Sequence, residues 1–389
     1  MTRKICVVTA TRAEYGLLKP LLHEIEKDQD LTLQLVATGT HLSPEFGYTL
    51  KEIETDKYPI AKKVEILLSS DSSIGVSKSM GLAQISFSEV YDDLQPDIVV
   101  VLGDRYELLP IVLAANVANI PVAHISGGEL TEGVLDEMFR HAITKLSHLH
   151  FTAIEPYRNR VIQMGESPER VFTVGEIGLD NLRTMQFMSK EELEMNLGRK
   201  LFSKNLLVTY HPDTTDNLDS IVASFKTILE ALDELKDTLL IFTKANSDRG
   251  GRKINDMIDK YVSINKDKSI SFTSLGQKRY LSLLNYIDAI IGNSSSGIVE
   301  TPSFKLPSIN IGSRQQGRIR AQSTIDVDYE LDSIRQSIKK IYSSEFIDEI
   351  KGVINPYDKG GSGKKVKDIL KEYDLNTLKV KKFYDIPKN

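Results

Sequence analysis

The sequence holds a single cysteine, Cys6. No disulfide can form within the chain, which fits a reducing cytoplasm as the expected setting. Cys6 itself falls in the first strand pattern and is expected to be inert core. No apolar run approaches the ~18 residues that a membrane span requires. The run Ile5–Val8 behind the first basic residues is too short for a secretory leader. Blocks of lysine and arginine are also missing, and the net charge is −5, so neither nucleic acid nor an anionic membrane is an expected partner. There is no H-E-x-x-H and no cysteine cluster, so no catalytic zinc is expected. No G-x-G-x-x-G follows the first strand, which argues against a dinucleotide oxidoreductase. The segment DKGGSGKK, Asp358–Lys365, is not a phosphate-binding loop, because no Ser or Thr follows Lys364 and no strand precedes it. It reads as an ordinary loop.

What is present is the pattern of an α/β protein. Apolar residues make up 41% and charged residues 26% of 389 positions, the balance of a soluble globular chain long enough for two domains. Strand patterns fall at 4–9, 31–37, 98–102, 121–125, 149–153 and 171–174, with helical patterns between most of them. A charged helical stretch from Gly175 to Lys204 reads as the crossing to a second domain. There strands are expected at 206–210, 238–242, 269–273, 289–292 and 308–311. Two consecutive doubly wound units imply two Rossmann-like lobes facing each other across a cleft.

Two stretches carry the chemistry. In DIVVVLGDRYELL the β-branched run Ile98–Val101 stops at Gly103-Asp104-Arg105, and the next strand stops at Gly127-Gly128-Glu129. In parallel sheets ligands bind beyond the carboxyl ends of the strands, so Asp104 and Glu129 should face one crevice, joined by Asp136 near the start of DEMFRHAITKL. Crowded carboxylates raise one another's pKa, which suits acid/base work near neutrality. Asp136 also reads as a plain helix-start acid, and Asp104 as a turn residue. The second stretch, AIIGNSSSGIVETP, is a buried strand breaking into Gly292-Asn293-Ser294-Ser295-Ser296-Gly297, whose N–H groups and hydroxyls suit a phosphate as well as a helix cap. Glu300, one turn on, reads either as a partner for a ribose diol or as a solvated charge. His211 follows a buried strand and reads as a phosphate donor, a proton carrier or a turn histidine. Arg12, Arg105 and Arg314 each follow a strand and suit phosphate or a surface ion pair. His124, inside its strand, reads as structural.

Taken together, TATRAEYG, TGTHLSPEFGYT, LGDRYE, HISGGE, DEMFRHAITKLSHLHF, YHPDTTD, IGNSSSGIVETPSF, IGSRQQGR and FYDIP resemble the hydrolysing UDP-N-acetylglucosamine 2-epimerases of sialic-acid biosynthesis. The resemblance runs in order over nearly the whole chain. It implies a GT-B-like fold, with residues 1–175 carrying the catalytic acids, 176–366 binding UDP, and a helix and tail at 367–389 packing back on the first domain. It implies Asp104, Glu129, Asp136 and His211 as catalytic residues. Arg12, Arg105, Asn246, Ser294, Ser295, Glu300 and Arg314 become contacts to the UDP-sugar. No cofactor or metal is implied, and a homodimer is expected.

The chemistry so implied converts UDP-GlcNAc to ManNAc and UDP. A C2 proton on an N-acetyl sugar is not acidic until UDP departs from C1 and oxocarbenium character develops. A carboxylate then removes it to give a glycal, and water adds with a proton delivered to the other face of C2. Two faces need at least two acid/base groups. The same chemistry on UDP-2,4-diacetamido-2,4,6-trideoxyglucose is the alternative, together with a non-hydrolysing epimerase. Rival classes are a GT-B glycosyltransferase, which would need an acceptor, and a non-catalytic nucleotide-sugar sensor.

Overall fold

The computed structural model describes residues 2–68, 72–131, 135–212, 218–245 and 250–387. The chain divides into two compact units. The first comprises Met1–Glu129, Leu135–Arg183 and Tyr357–Asn389, and the second Leu130–Val134 and Thr184–Pro356. The chain thus leaves the first unit after Arg183 and rejoins it at Tyr357, where the sequence suggested 175 and 367. The reason lies in local packing. The 3-10 turn Ile177–Asp180 sits against the helix Arg12–Glu26, and Asn181 Nδ2 donates to the Gly16 carbonyl at 3.0 Å.

The first unit is built on a parallel sheet of β1 (Arg3–Thr9), β2 (Leu31–Thr38), β3 (Ile60–Val64), β4 (Ile98–Leu102), β5 (Val122–Ile125), β6 (Leu149–Thr152) and β7 (Val171–Thr173). Their spatial order is β3-β2-β1-β4-β5-β6-β7. Alternate residues feed two cores, as a sheet covered on both faces requires. Ile5, Val7, Val100 and Leu102 pack with Leu18, Leu22 and Ile25 on one side. Cys6, Val8, Val99 and Val101 pack with Phe87, Tyr91, Ile111 and Ile143 on the other. Burial pushes the Cys6 thiol up to about 12, so it remains an unreactive packing group.

The helix Ser362–Glu372 closes the first unit. Its Val366 and Leu370 join the core beneath the helix Arg12–Glu26, and Lys367 and Lys371 pair with Asp28 at 3.0 and 2.8 Å. This helix starts inside the Gly/Lys-rich segment that the sequence suggested was loop. Asp180 fills its N-terminus, accepting from the Gly361 and Gly363 amides at 2.9 and 2.8 Å, as an anion at a helix start does. The tail is held to the same unit by Lys381, which pairs with Glu166 at 2.8 Å.

The second unit carries β8 (Lys204–Thr209), β9 (Thr238–Thr243), β10 (Ser269–Phe272), β11 (Ala289–Gly292), β12 (Ser308–Ile311) and β13 (Thr324–Val327), all parallel in the order β10-β9-β8-β11-β12-β13. Its core gathers Leu206, Val208, Phe225, Phe242, Ile291, Ile309 and Ile334. Strands β3 and β13 were not anticipated. Both are edge strands, half-exposed and carrying Lys62, Lys63 or Asp326, and charges of that kind guard sheet edges while erasing the apolar run that marks an interior strand. No helix among the described residues is long and apolar enough to cross a membrane.

Candidate functional site

In the first unit the strand order reverses between β1 and β4, and the segments leaving these strands and β5 hold Arg12, Asp104, Arg105, Glu129 and Asp136. The ladder continues one residue past the strands, with the Gly103 amide donating to the Ile125 carbonyl at 3.0 Å. The chain then turns away at Gly103 and, after β5, at Gly128, both with positive φ. Gly128 has no substitute, since a Cβ there would stand 2.4 Å from the Tyr157 carbonyl oxygen. Asp104 emerges half-exposed, and Glu129 is buried. Asp136 lies half-buried in the first turn of the helix Leu135–Leu146.

His124 is structural. Its Nε2 donates to the Gly103 carbonyl at 2.8 Å, so Nδ1 accepts from the Thr144 hydroxyl at 3.0 Å. Full burial lowers its pKa to about 3, and the neutral ring pins the loop that carries Asp104 to β5.

Three side chains at these strand ends were not singled out in the sequence, and two of them organise the acids. Arg140 is buried on the inner face of its helix with Ile143 and Thr144. Its guanidinium donates to the Glu129 carbonyl at 3.0 Å, to Glu137 Oε2 at 2.7 Å and to the Asp104 carboxylate. Glu137 in turn accepts from His141 Nε2 at 2.8 Å. The available signal was a cation at helical spacing among apolar positions, where its charge needs partners. Glu14 is the third. Its Oε2 accepts from the Ala10 and Thr11 amides at 2.7 and 3.3 Å, completing a capping box with Thr11. Burial outweighs these bonds and pushes its carboxyl up to about 8.

Arg12 and Arg105 both show the ion pairs that were one of their two readings. Arg12 lies 3.7 Å from Glu52. Arg105 Nε donates to buried Glu107 at 3.2 Å. Burial alone would lower the Arg105 pKa, but Glu107 and Glu14 reverse the shift and raise it.

The second unit repeats the topology with different materials. Its order reverses between β8 and β11, and His211 follows β8 while Ser294 and Ser295 follow β11. Gly292 takes φ +138°, and a Cβ there would meet the Thr209 carbonyl oxygen at 1.9 Å, so only glycine lets the two strand ends lie this close. Asn293, fully buried, clamps the loops. Its Oδ1 accepts from the His211 amide and its Nδ2 donates to the His211 carbonyl, both at 2.8 Å. Gln315 Nε2 donates to the Asn293 carbonyl at 2.9 Å, which ties in the loop after β12 that carries Arg314. Ser296 is engaged by the Tyr280 hydroxyl. Ser294 and Ser295 remain half-exposed. Glu300 ends the short helix Ser296–Val299. Glu300 is half-buried, and burial raises its pKa against the opposing effects of Ser296 and Arg318. Asn246 lies outside the described residues. Among those described, no group of three or more His, Cys, Asp or Glu is arranged to hold a metal.

A family model described as UDP-N-acetylglucosamine 2-epimerase matches residues 23–371. A Campylobacter jejuni protein described as GDP/UDP-N,N'-diacetylbacillosamine 2-epimerase (hydrolyzing) is 48% identical over 99% of both chains. The Escherichia coli polysialic acid biosynthesis protein P7 is 37% identical, covering 99% of this chain and 98% of its own. A Legionella pneumophila UDP-N,N'-diacetylbacillosamine 2-epimerase (hydrolyzing) is 36% identical over 97% and 98%. Among solved structures, that of S. aureus MnaA with UDP superposes with a TM-score of 0.80 at 18% identity, covering 99% of this chain and all of the other. It shares the two-domain GT-B-like architecture.

Proposed function

The chain belongs to the UDP-N-acetylglucosamine 2-epimerase family, and we propose that it is a hydrolysing UDP-sugar 2-epimerase. The observation that carries this reading is the meeting of the Asp104 carboxylate and the Glu129 main chain on one buried guanidinium, at the carboxyl ends of adjacent strands. Sugar chemistry is assigned to these loops and to Asp136. The nucleotide is assigned to the second unit, through Ser294, Ser295, Glu300 and Arg314, with His211 and Arg12 at the diphosphate, Arg105 beside Asp104 and Asn246 a further nucleotide contact. UDP leaves C1 with its bonding electron pair, and donors aimed at the departing diphosphate stabilise it. A carboxylate takes the C2 proton, which gives the glycal. Water then adds its oxygen to C1, and a second acid delivers a proton to the opposite face of C2. The products are free UDP and the 2-epimeric sugar.

For the substrate, we propose a UDP-linked 2,4-diacetamido-2,4,6-trideoxyglucose, the sugar otherwise called N,N'-diacetylbacillosamine. The support is the 48% and 36% identity to two proteins described as acting on it. UDP-GlcNAc is the second reading, favoured by the family description and by the sialic-acid-type motifs. A homodimer in the cytoplasm completes the proposal, and a monomer mass by light scattering would remove the first part of it. The deciding experiment incubates the protein with each UDP-sugar and follows products by NMR. In D₂O the sugar should gain deuterium at C2, and in H₂¹⁸O it should gain the label at C1. Label in the UDP phosphate would overturn elimination, and turnover of neither sugar would overturn the function.

A further inference from the structure

Arg140 is 1% exposed, and nothing in the chemistry just described gives it a task. Burying a guanidinium costs several kcal/mol unless its charge and donors are matched. Here they are matched by groups from three places. Nη2 donates to the carboxylate of Asp104, on the loop after β4. Nη1 donates to the Glu129 carbonyl at 3.0 Å, on the loop after β5. Nη1 also donates to Glu137 at 2.7 Å, and Glu137 is the immediate neighbour of Asp136 in the helix Leu135–Leu146. Arginine suits this work because its donors lie in one rigid plane, so it sets direction as well as distance. A lysine ammonium supplies the charge without the plane. Glu137 is itself fixed from the far side by His141 at 2.8 Å, so the guanidinium is held from behind while it faces the strand ends.

We propose that Arg140 is the positioning residue of the reaction, holding Asp104, the Glu129 main chain and the first turn that bears Asp136 in one register. It touches no reacting atom. The inference rests on the acid/base reading of those three residues. Proton transfers to and from opposite faces of one carbon require acids at fixed mutual positions, and a misplacement of about 1 Å can cost ~10²-fold in rate.

The test uses the full-length protein with the UDP-sugar it turns over. Arg140→Met should lower kcat at least ~10²-fold while KM and the affinity for UDP change less than ~3-fold. Arg140→Lys should recover roughly tenfold of that loss. Combined with Asp104→Asn, Arg140→Met should cost less than it does alone, because the part of its effect that runs through the Asp104 carboxylate is already lost. A folded Arg140→Met with kcat within ~3-fold of wild type, or a double variant whose losses multiply, would overturn the proposal. If Arg140→Met does not fold, Glu137→Gln takes its place. It should lower kcat roughly tenfold at unchanged UDP affinity, and unchanged kcat there would overturn it equally. A wild type inactive on every UDP-sugar counts against the function and not against the positioning. A crystal structure of Arg140→Met then decides, with a displaced Asp104 carboxylate supporting the proposal and one superimposable within ~0.5 Å overturning it.

Discussion

The two units share a topology and differ in what holds their strand ends. In the first, charged pairs tie the loops beyond β4 and β5, through Arg140 with Asp104 and Glu137 and Arg105 with Glu107, and the buried carboxyl of Glu14 caps the loop beyond β1. In the second, the loops beyond β8 and β11 are joined to each other and to the loop beyond β12 by neutral amides and hydroxyls, through Asn293 with His211, Gln315 with Asn293, and Tyr280 with Ser296, while Arg320 supports the β12 loop from its outer end at Gln315 and Asp326. Placing ionisable groups in a low-dielectric setting shifts their protonation and readies them to move protons. Fixed neutral donors suit the opposite task, holding an anion without exchanging protons with it. Under the proposed function, one fold serves as the reactive half and as the binding half, according to the side chains at its strand ends.

The comparison can be broken most sharply at the acids. Asp104→Asn, Glu129→Gln and Asp136→Asn should each lower kcat at least ~10²-fold with UDP affinity nearly intact. Near-normal turnover in all three would mean that the charged half is not the reactive one. In the neutral half, Asn293→Ala removes two hydrogen bonds to the His211 main chain and should cost about 2 kcal/mol of stability, read by denaturant unfolding. An unchanged midpoint would show that the clamp holds nothing. Arg314→Ala should weaken UDP binding by about 1.5 kcal/mol and leave the acids in place. Calorimetry with unchanged UDP affinity would move the nucleotide away from this unit.

A further effect concerns pH and is read as a slope. Glu14 has a folded-state pKa raised from 4.5 to about 8. The folded state therefore binds the proton more tightly than the unfolded chain does, so this contribution is complete below the unfolded pKa and is lost as pH rises through 8. Glu14→Gln keeps an acceptor for the Ala10 amide and removes the titration. The stability of wild type relative to Glu14→Gln should fall by about 1 kcal/mol per pH unit between those limits. A pH-independent difference would mean that Glu14 is an ordinary ionised cap.

The same contrast explains what could be read without coordinates. Asp104, Glu129, His211, Ser294 and Arg314 were legible because each directly follows an apolar strand, and a parallel sheet delivers such residues to one edge. Alternation within Ile5–Val8 and Val99–Leu102 likewise fixed which side chains enter which core. The residues that tie the loops together were not legible, because their partners are distant in sequence. Arg140 reaches Asp104 across 36 positions, and Asn293 reaches His211 across 82. The edge strands β3 and β13 escaped because their charges suit solvent and their pairing depends on a neighbouring strand. The unit boundaries at Arg183 and Tyr357 follow contacts with residues far away in the chain, the turn Ile177–Asp180 against the helix Arg12–Glu26 and Tyr357 against Tyr157. Local pattern determined the interior strands, their buried faces and the edge to which the candidate site residues are delivered. Tertiary structure alone decided which charges meet there, since a buried ion pair or amide clamp exists only once separate strands have been brought side by side.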